Sequence, residues 1–124
     1  MQLHHINIRA PADLLADEMV FFRDILGLTE GPRPAFISPG YWLYSGDQPI
    51  VHLSQGERHI GAERGSYFDH VAFQTTGLGV FMRRLENAGI EYSTSYIDAT
   101  ATTQVFIDSP TGTKIEVSFA DEIL

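Results

Sequence analysis

Leu3-His4-His5-Ile6-Asn7-Ile8, near the start of the chain, and Phe68-Asp69-His70-Val71-Ala72-Phe73, near its middle, carry the same alternation of apolar and polar side chains around a histidine. Each reads as a β-strand, because residues two apart share one face of a sheet. A second pair recurs later: Pro49-Ile50-Val51-His52-Leu53-Ser54 and Thr113-Lys114-Ile115-Glu116-Val117-Ser118. Both recurrences fall at a spacing of about 65 residues, which predicts a duplicated unit. Within each unit a helical stripe follows the first strand. Leu15, Met19, Phe22 and Leu26 lead to Gly27, and Leu78, Phe81, Met82 and Leu85 lead to Gly89, each glycine standing where a helix stops.

The remaining segments complete the pattern. Leu3–Arg9 is the first strand, and Pro11 with Asp13 breaks extension and offers a helix cap. Leu28–Arg33, punctuated by Gly31 and Pro32, reads as a short edge strand, followed by strands at Tyr41–Tyr44 and Pro49–Ser54 around the Ser45-Gly46-Asp47 turn. In the second half, strands are expected at Phe68–Gln74, Glu91–Tyr96, Thr102–Asp108 and Lys114–Phe119, the last two joined by Ser109-Pro110-Thr111-Gly112. The expected fold class is α+β, one domain over residues 1–124, built of two β-α-β-β-β modules at about 1–55 and about 67–120 with a polar connector at about 56–66.

Bulk composition narrows the function. The 124 residues have a formal net charge of −8, without a Lys/Arg cluster, which disfavours nucleic-acid binding. No apolar run reaches the roughly 20 residues of a membrane helix, and the first residues lack the blocks of a signal peptide, so a soluble cytoplasmic protein without membrane partners is expected. With no cysteine present, a metal would be held by nitrogen and oxygen donors alone.

Strand parity then singles out four residues. Ile6 and Ile8, Val71 and Phe73, Val51 and Leu53, and Ile115 and Val117 form the faces expected to pack on the helices. His5, His70, His52 and Glu116 fall on the opposite faces. A lone strand histidine is more commonly hydrogen-bonded or solvent-facing than a ligand, but three imidazoles and a carboxylate at duplicated positions point to one divalent metal ion. If each sheet curls into a cup and the halves pair, the four converge. His4 has the other parity and reads as structural or surface, while His59 reads as a solvated connector residue. Asn7 and Arg9 share parity with His5, and Gln104 shares it with Phe106, making these three candidate substrate contacts; Trp42, Tyr44 and Tyr96 could form an aromatic wall, but strand aromatics are more often core and they are left out of the site.

At these residues, and in Phe22-Arg23-Asp24-Ile25-Leu26-Gly27-Leu28 and Asp108-Ser109-Pro110-Thr111-Gly112-Thr113-Lys114-Ile115-Glu116, the chain resembles the vicinal oxygen chelate superfamily. That superfamily includes glyoxalase I, methylmalonyl-CoA epimerase, extradiol dioxygenases and the fosfomycin- and bleomycin-resistance proteins. The resemblance implies a glyoxalase-like curled mixed sheet, metal ligation by His5, His52, His70 and Glu116, and a homodimer. Glyoxalase I and epimerase members usually carry Glu or Gln where this chain has His52.

The function so implied is metal-dependent lyase or isomerase chemistry on a small metabolite. An ion of Zn, Ni, Co, Mn or Fe(II) would chelate vicinal oxygens and stabilise an enediolate-like intermediate. Glu116 or His52 would move the proton. Two alternatives remain open at this stage. One is an Fe(II) extradiol dioxygenase using His5, His70 and Glu116; the other is a binding protein of the bleomycin-resistance type.

Overall fold

Each half of the chain folds as β-α-β-β-β, and the helix in each covers one face of a four-stranded mixed sheet. The computed structural model describes residues 1–35, 38–57 and 68–124. The chain divides into two compact units, Met1–Gly65 and Ser66–Leu124. His59 and most of the expected connector lie outside the described residues.

Unit 1 contains β1 (Ile6–Ala10), α1 (Ala12–Asp24), β2 (Thr29–Gly31), β3 (Gly40–Ser45) and β4 (Gln48–Gln55). The sheet order is β1-β4-β3-β2, with β1 parallel to β4 and the other pairs antiparallel. Leu43, Val51 and Leu53 are fully buried on the face that meets α1. The helix answers with Leu15, Glu18, Phe21, Phe22 and Ile25, a stripe at helical spacing. Met19 and Leu26, expected on that stripe, are only half-buried because the buried face is rotated towards Glu18, Phe21 and Ile25. Asp13 does not cap the helix: Pro11 occupies the cap position without a side-chain bond, and Asp13 sits in the first turn, where its charge suits the positive helix end. The expected edge strand stops at Gly31, leaving Arg33 in the following loop.

Unit 2 repeats the plan with β5 (Val71–Gln74), α2 (Leu78–Asn87), β6 (Ser93–Ile97), β7 (Thr102–Asp108) and β8 (Lys114–Ala120), plus a 3-10 turn at Asp98–Thr100. Its order, β5-β8-β7-β6, again pairs the first and last strands in parallel. Val105, Ile115, Val117 and Phe119 are buried beneath Leu78, Phe81 and Leu85 of α2, with the Phe81 and Phe119 rings 5.5 Å apart. Gly89 ends this helix at φ 67°, letting its N–H reach the Glu86 carbonyl while Ile90 N–H reaches Leu85. A side chain there would strain the left-handed turn that satisfies those carbonyls.

The other end of α2 is closed from a distance. Glu122, beyond β8, accepts hydrogen bonds from the backbone N–H groups of Gly77 at 3.0 Å and Leu78 at 2.8 Å. The Glu122 carbonyl also accepts from the Thr103 hydroxyl on β7. A carboxylate at a helix N-terminus satisfies orphan donors and meets the positive end of the helix dipole. Replacing Glu122 with Ala should therefore destabilise the protein by about 1 kcal/mol, read as a lower denaturation midpoint at an unchanged slope; an unaltered midpoint would show that this closure adds nothing.

Candidate functional site

The parallel pairing of first and last strands places the expected site residues in two clusters, one in each unit. In unit 2, β5 and β8 run side by side with Val71 opposite Ile115, so His70 emerges immediately before β5, beside Glu116. His70 and its counterpart His5 thus precede their strands rather than lying within them. The His70 Nδ1–H donates to Asp69 Oδ2 at 2.7 Å, which directs Nε2 towards Glu116 Oε1, 3.4 Å away. Asp69 is held below the usual carboxylate range, first by that bond and then by Lys114, whose Nζ lies 3.4 Å off.

Glu116 is a buried carboxylate, 8% exposed. Its Oε2 accepts the Ser118 hydroxyl at 2.6 Å and its Oε1 accepts the Gln104 amide at 3.0 Å. Both donors come from the same open face: Ser118 two residues along β8, and Gln104 opposite Ser118 on β7. Gln104, expected to contact substrate, is thus tied to Glu116 in this arrangement. Phe106, opposite Glu116, sets its ring edge-on to His70 at 6.0 Å.

In unit 1 the equivalent positions are His5 and His52. Their rings stack 3.8 Å apart at 13°, and Trp42, opposite His52 on β3, stacks on the other side at 4.1 Å and 11°. The His52 Nε2–H donates to the Pro49 carbonyl at 3.0 Å, which leaves the lone pair on Nδ1. Burial, then the charge of His5, holds the His52 imidazole below the ordinary histidine range, against the pull of the Pro49 bond. His4 is exposed, with Nδ1 2.9 Å from Nδ1 of His5. It does not take the helix-facing place that alternation assigned, because the strand begins only at Ile6.

Beside His52, an open cleft of about 590 Å³ is lined by Asn7, Arg9, Arg33, Trp42 and Ser54, among others. Asn7 and Arg9 fall where parity put them. Trp42, expected in the core, lines the cleft instead; its register opposite His52 in the β3–β4 hairpin is the signal that identifies it. Tyr96 is exposed rather than buried. Arg33 carries no periodic signal, since it stands in a loop between two prolines.

No family model matches the sequence. Glyoxylase I 4 of Arabidopsis thaliana is 24% identical over 127 aligned positions, covering 98% of this chain and 72% of that protein. A putative glyoxalase family protein from Bacillus anthracis superposes with a TM-score of 0.76 at 22% identity, over 97% of this chain and 95% of the other. A mutant of the fosfomycin resistance protein FosX from Listeria monocytogenes, complexed with Mn(II) and 1S,2S-dihydroxypropylphosphonic acid, gives 0.68 at 14% identity, over 99% and 94%. The chain has the glyoxalase-like vicinal oxygen chelate fold.

Within this glyoxalase-like fold the two clusters fit a metal ion unequally. Two donors each about 2.1 Å from one ion stand roughly 3.0–3.4 Å apart in octahedral or tetrahedral coordination, and His70 Nε2 and Glu116 Oε1 are separated by 3.4 Å. With Nδ1–H committed to Asp69, a lone pair on Nε2 faces a carboxylate oxygen, an arrangement that a cation or proton between them makes favourable. The stacked rings of His5 and His52 instead aim their in-plane lone pairs side by side, so joint ligation requires one ring to turn. Among the described residues, no group of three or more His, Asp or Glu is arranged to hold an ion. No helix among them is long and apolar enough to cross a membrane.

The depressed His52 predicts a pH effect whose sign follows from linkage. A histidine harder to protonate folded than unfolded stabilises the fold above the unfolded pKa of about 6.5, and that stability is lost as pH falls through the folded value. In metal-free protein the His52 imidazole should titrate below the ordinary histidine value of about 6.5 by NMR, and His52→Gln should flatten the fall in stability below about pH 6.5. Titration of His52 at or above the ordinary value would contradict the burial argument.

Proposed function

We propose that the protein is a metal-dependent enzyme of the glyoxalase type, acting as a lyase or isomerase on a small metabolite with adjacent oxygens. The observation that carries this reading is the His70–Glu116 pair, whose facing donor atoms are the right distance apart for one ion and are each held from behind. The likeness to a curated glyoxylase I and to a Mn(II)-bound structure of the same fold supports it.

His70 and Glu116 would hold a divalent ion, Zn, Ni, Co, Mn or Fe(II). When bound, such an ion supplies Lewis-acid stabilisation of the negative charge left on a substrate oxygen as a proton departs from the neighbouring carbon. Ser118 and Gln104 fix Glu116 in place, which suits a ligand better than a travelling base. His52, kept neutral by burial, carries a lone pair on Nδ1 and is a candidate base within unit 1. Asp69 orients His70, a role usually worth about 10–100-fold in metal affinity.

Metal content and turnover test the reading together. After anaerobic reconstitution, wild-type protein should bind a divalent ion and turn over glutathione hemithioacetals without oxygen. His70→Ala and Glu116→Ala should nearly abolish metal binding, and Asp69→Ala should weaken it by about 10–100-fold. Oxygen uptake with catechols, restricted to Fe(II) protein, would replace this function with ring-cleaving dioxygenation. Failure to bind any metal would favour a binder of the bleomycin-resistance type.

A further inference from the structure

The sheet of unit 2 ends in an unguarded strand. Among the described strands β6 pairs with β7 alone, and all five of its residues, Ser93-Thr94-Ser95-Tyr96-Ile97, are exposed. An edge strand offers unpaired backbone N–H and C=O groups to any other strand, and proteins ordinarily blunt it with shortness, charge, proline or cover. The other outer strands use those devices. β2 has three residues, one of them Glu30, and Pro32 follows it; β1 carries Arg9; and in β5 Val71 is buried and Phe73 half-buried. β6 has no charge, no proline and no cover. Apolar surface gathers along it as well, with Tyr92, Tyr96 and Ile97 exposed by 38%, 42% and 39%.

Register shows which strand fits this edge. In an antiparallel ladder, opposed residues both turn their backbone groups towards the partner or both turn them away, so a strand can pair with its own copy only about a residue, not about a peptide bond. Centred on Ser95, all five residues of β6 are paired; centred on Thr94 or Tyr96, only three are. Ser95 then meets its own copy, Thr94 meets Tyr96, and Ser93 meets Ile97. Thr94 and Tyr96 lie opposite Val105 and Thr103 of β7, on the helix side of the sheet, whereas Ser93 and Ile97 lie on the other side. The pairing therefore sets an aromatic ring against a β-branched side chain twice on one face, a favourable cross-strand combination, and covers Ile97 on the other. Charge favours the same edge. At a net charge of −8 two copies repel, and β6 lets them approach without opposing carboxylates, since Glu91 and Asp98 lie outside the paired segment.

We propose that β6 is an association edge, at which two copies of this chain pair antiparallel about Ser95 and join their unit 2 sheets into one. Backbone groups supply the attraction, and the side chains fix the register. The association needs neither metal nor substrate, so it stands or falls apart from the enzymatic reading.

Because the chain has no cysteine, one introduced thiol reads the register. Directly opposed Cα atoms in an antiparallel pair stand about 4.5–5.5 Å apart, within the span of a disulfide, so the full chain carrying Ser95→Cys should form a covalent dimer under mild oxidation. In Thr94→Cys the two thiols would sit on a diagonal, with Cα atoms about 7–8 Å apart, and cross-linking should be slower by about tenfold or more. Sedimentation velocity of the wild-type chain should show a reversible monomer–dimer equilibrium that tightens with added salt, as repulsion between acidic copies is screened. Ser95→Lys and Ser95→Glu each put like charges face to face on the axis and should weaken the dimer about fivefold, while an equimolar mixture of the two should restore it. Wild-type protein that stays monomeric at every concentration would overturn the pairing and leave the edge to a strand from a different protein. Equal cross-linking of Thr94→Cys and Ser95→Cys, or a wild-type dimer that neither charged variant weakens, would overturn it too, the latter placing the dimer contact on another surface.

Discussion

The parallel pairing of the first and last strand is the constraint on which each unit depends. It requires a crossover, and the helix that makes the crossover covers one face of the sheet. Alternation then decides the rest: with Val51 and Leu53, or Ile115 and Val117, committed to the helix, the residues between and beside them are turned to the face that the helix leaves bare. His52 and Glu116 sit where they do because aliphatic neighbours on both sides are worth about 1.5–3 kcal/mol each in burial. A one-residue slip would exchange the two faces. The chemistry is therefore held in register by the core.

The same constraint explains why the two halves have diverged so unevenly. Positions facing the helix must remain apolar and of similar volume, and they do so in both units. Positions on the bare face are free to specialise, so His52 in one unit corresponds to Glu116 in the other. Around Glu116 the face supplies hydrogen-bond donors, Ser118 and Gln104, as a buried carboxylate demands. Around His52 it supplies flat rings, Trp42 and His5, and two guanidinium groups nearby.

Legibility in the sequence follows the same division. Element order and strand positions were readable because periods of 2 and 3.6 record which side of each element is buried, and duplication gave every strand a second witness. Strand ends were less readable: alternation continues through His4 and His5 in the sequence, but the ladder begins at Ile6, so parity misplaced His4. Alternation puts Gln104 and Ser118 on the open face but does not say what they hold, and Asp69 and Arg33 carry no period at all. Asp69 is fixed by its neighbour His70, Ser118 and Gln104 by their registers, and Arg33 by a loop between prolines that no alternation describes.

That difference bears on how such a fold acquires new reactions. A pair such as His70 and Glu116 depends on register, and register depends on the whole core, so a slip that parted them would cost stability as well. The open face of unit 1 is less bound by register, since Arg9 there is exposed and Arg33 stands in a loop. Loss of an exposed charge such as Arg9 ordinarily moves stability by no more than about 0.5 kcal/mol, whereas a side chain at Gly40 would collide with the Leu53 carbonyl. The bare face of unit 1 can thus vary at its exposed charges while the His70–Glu116 pair of unit 2 stays fixed.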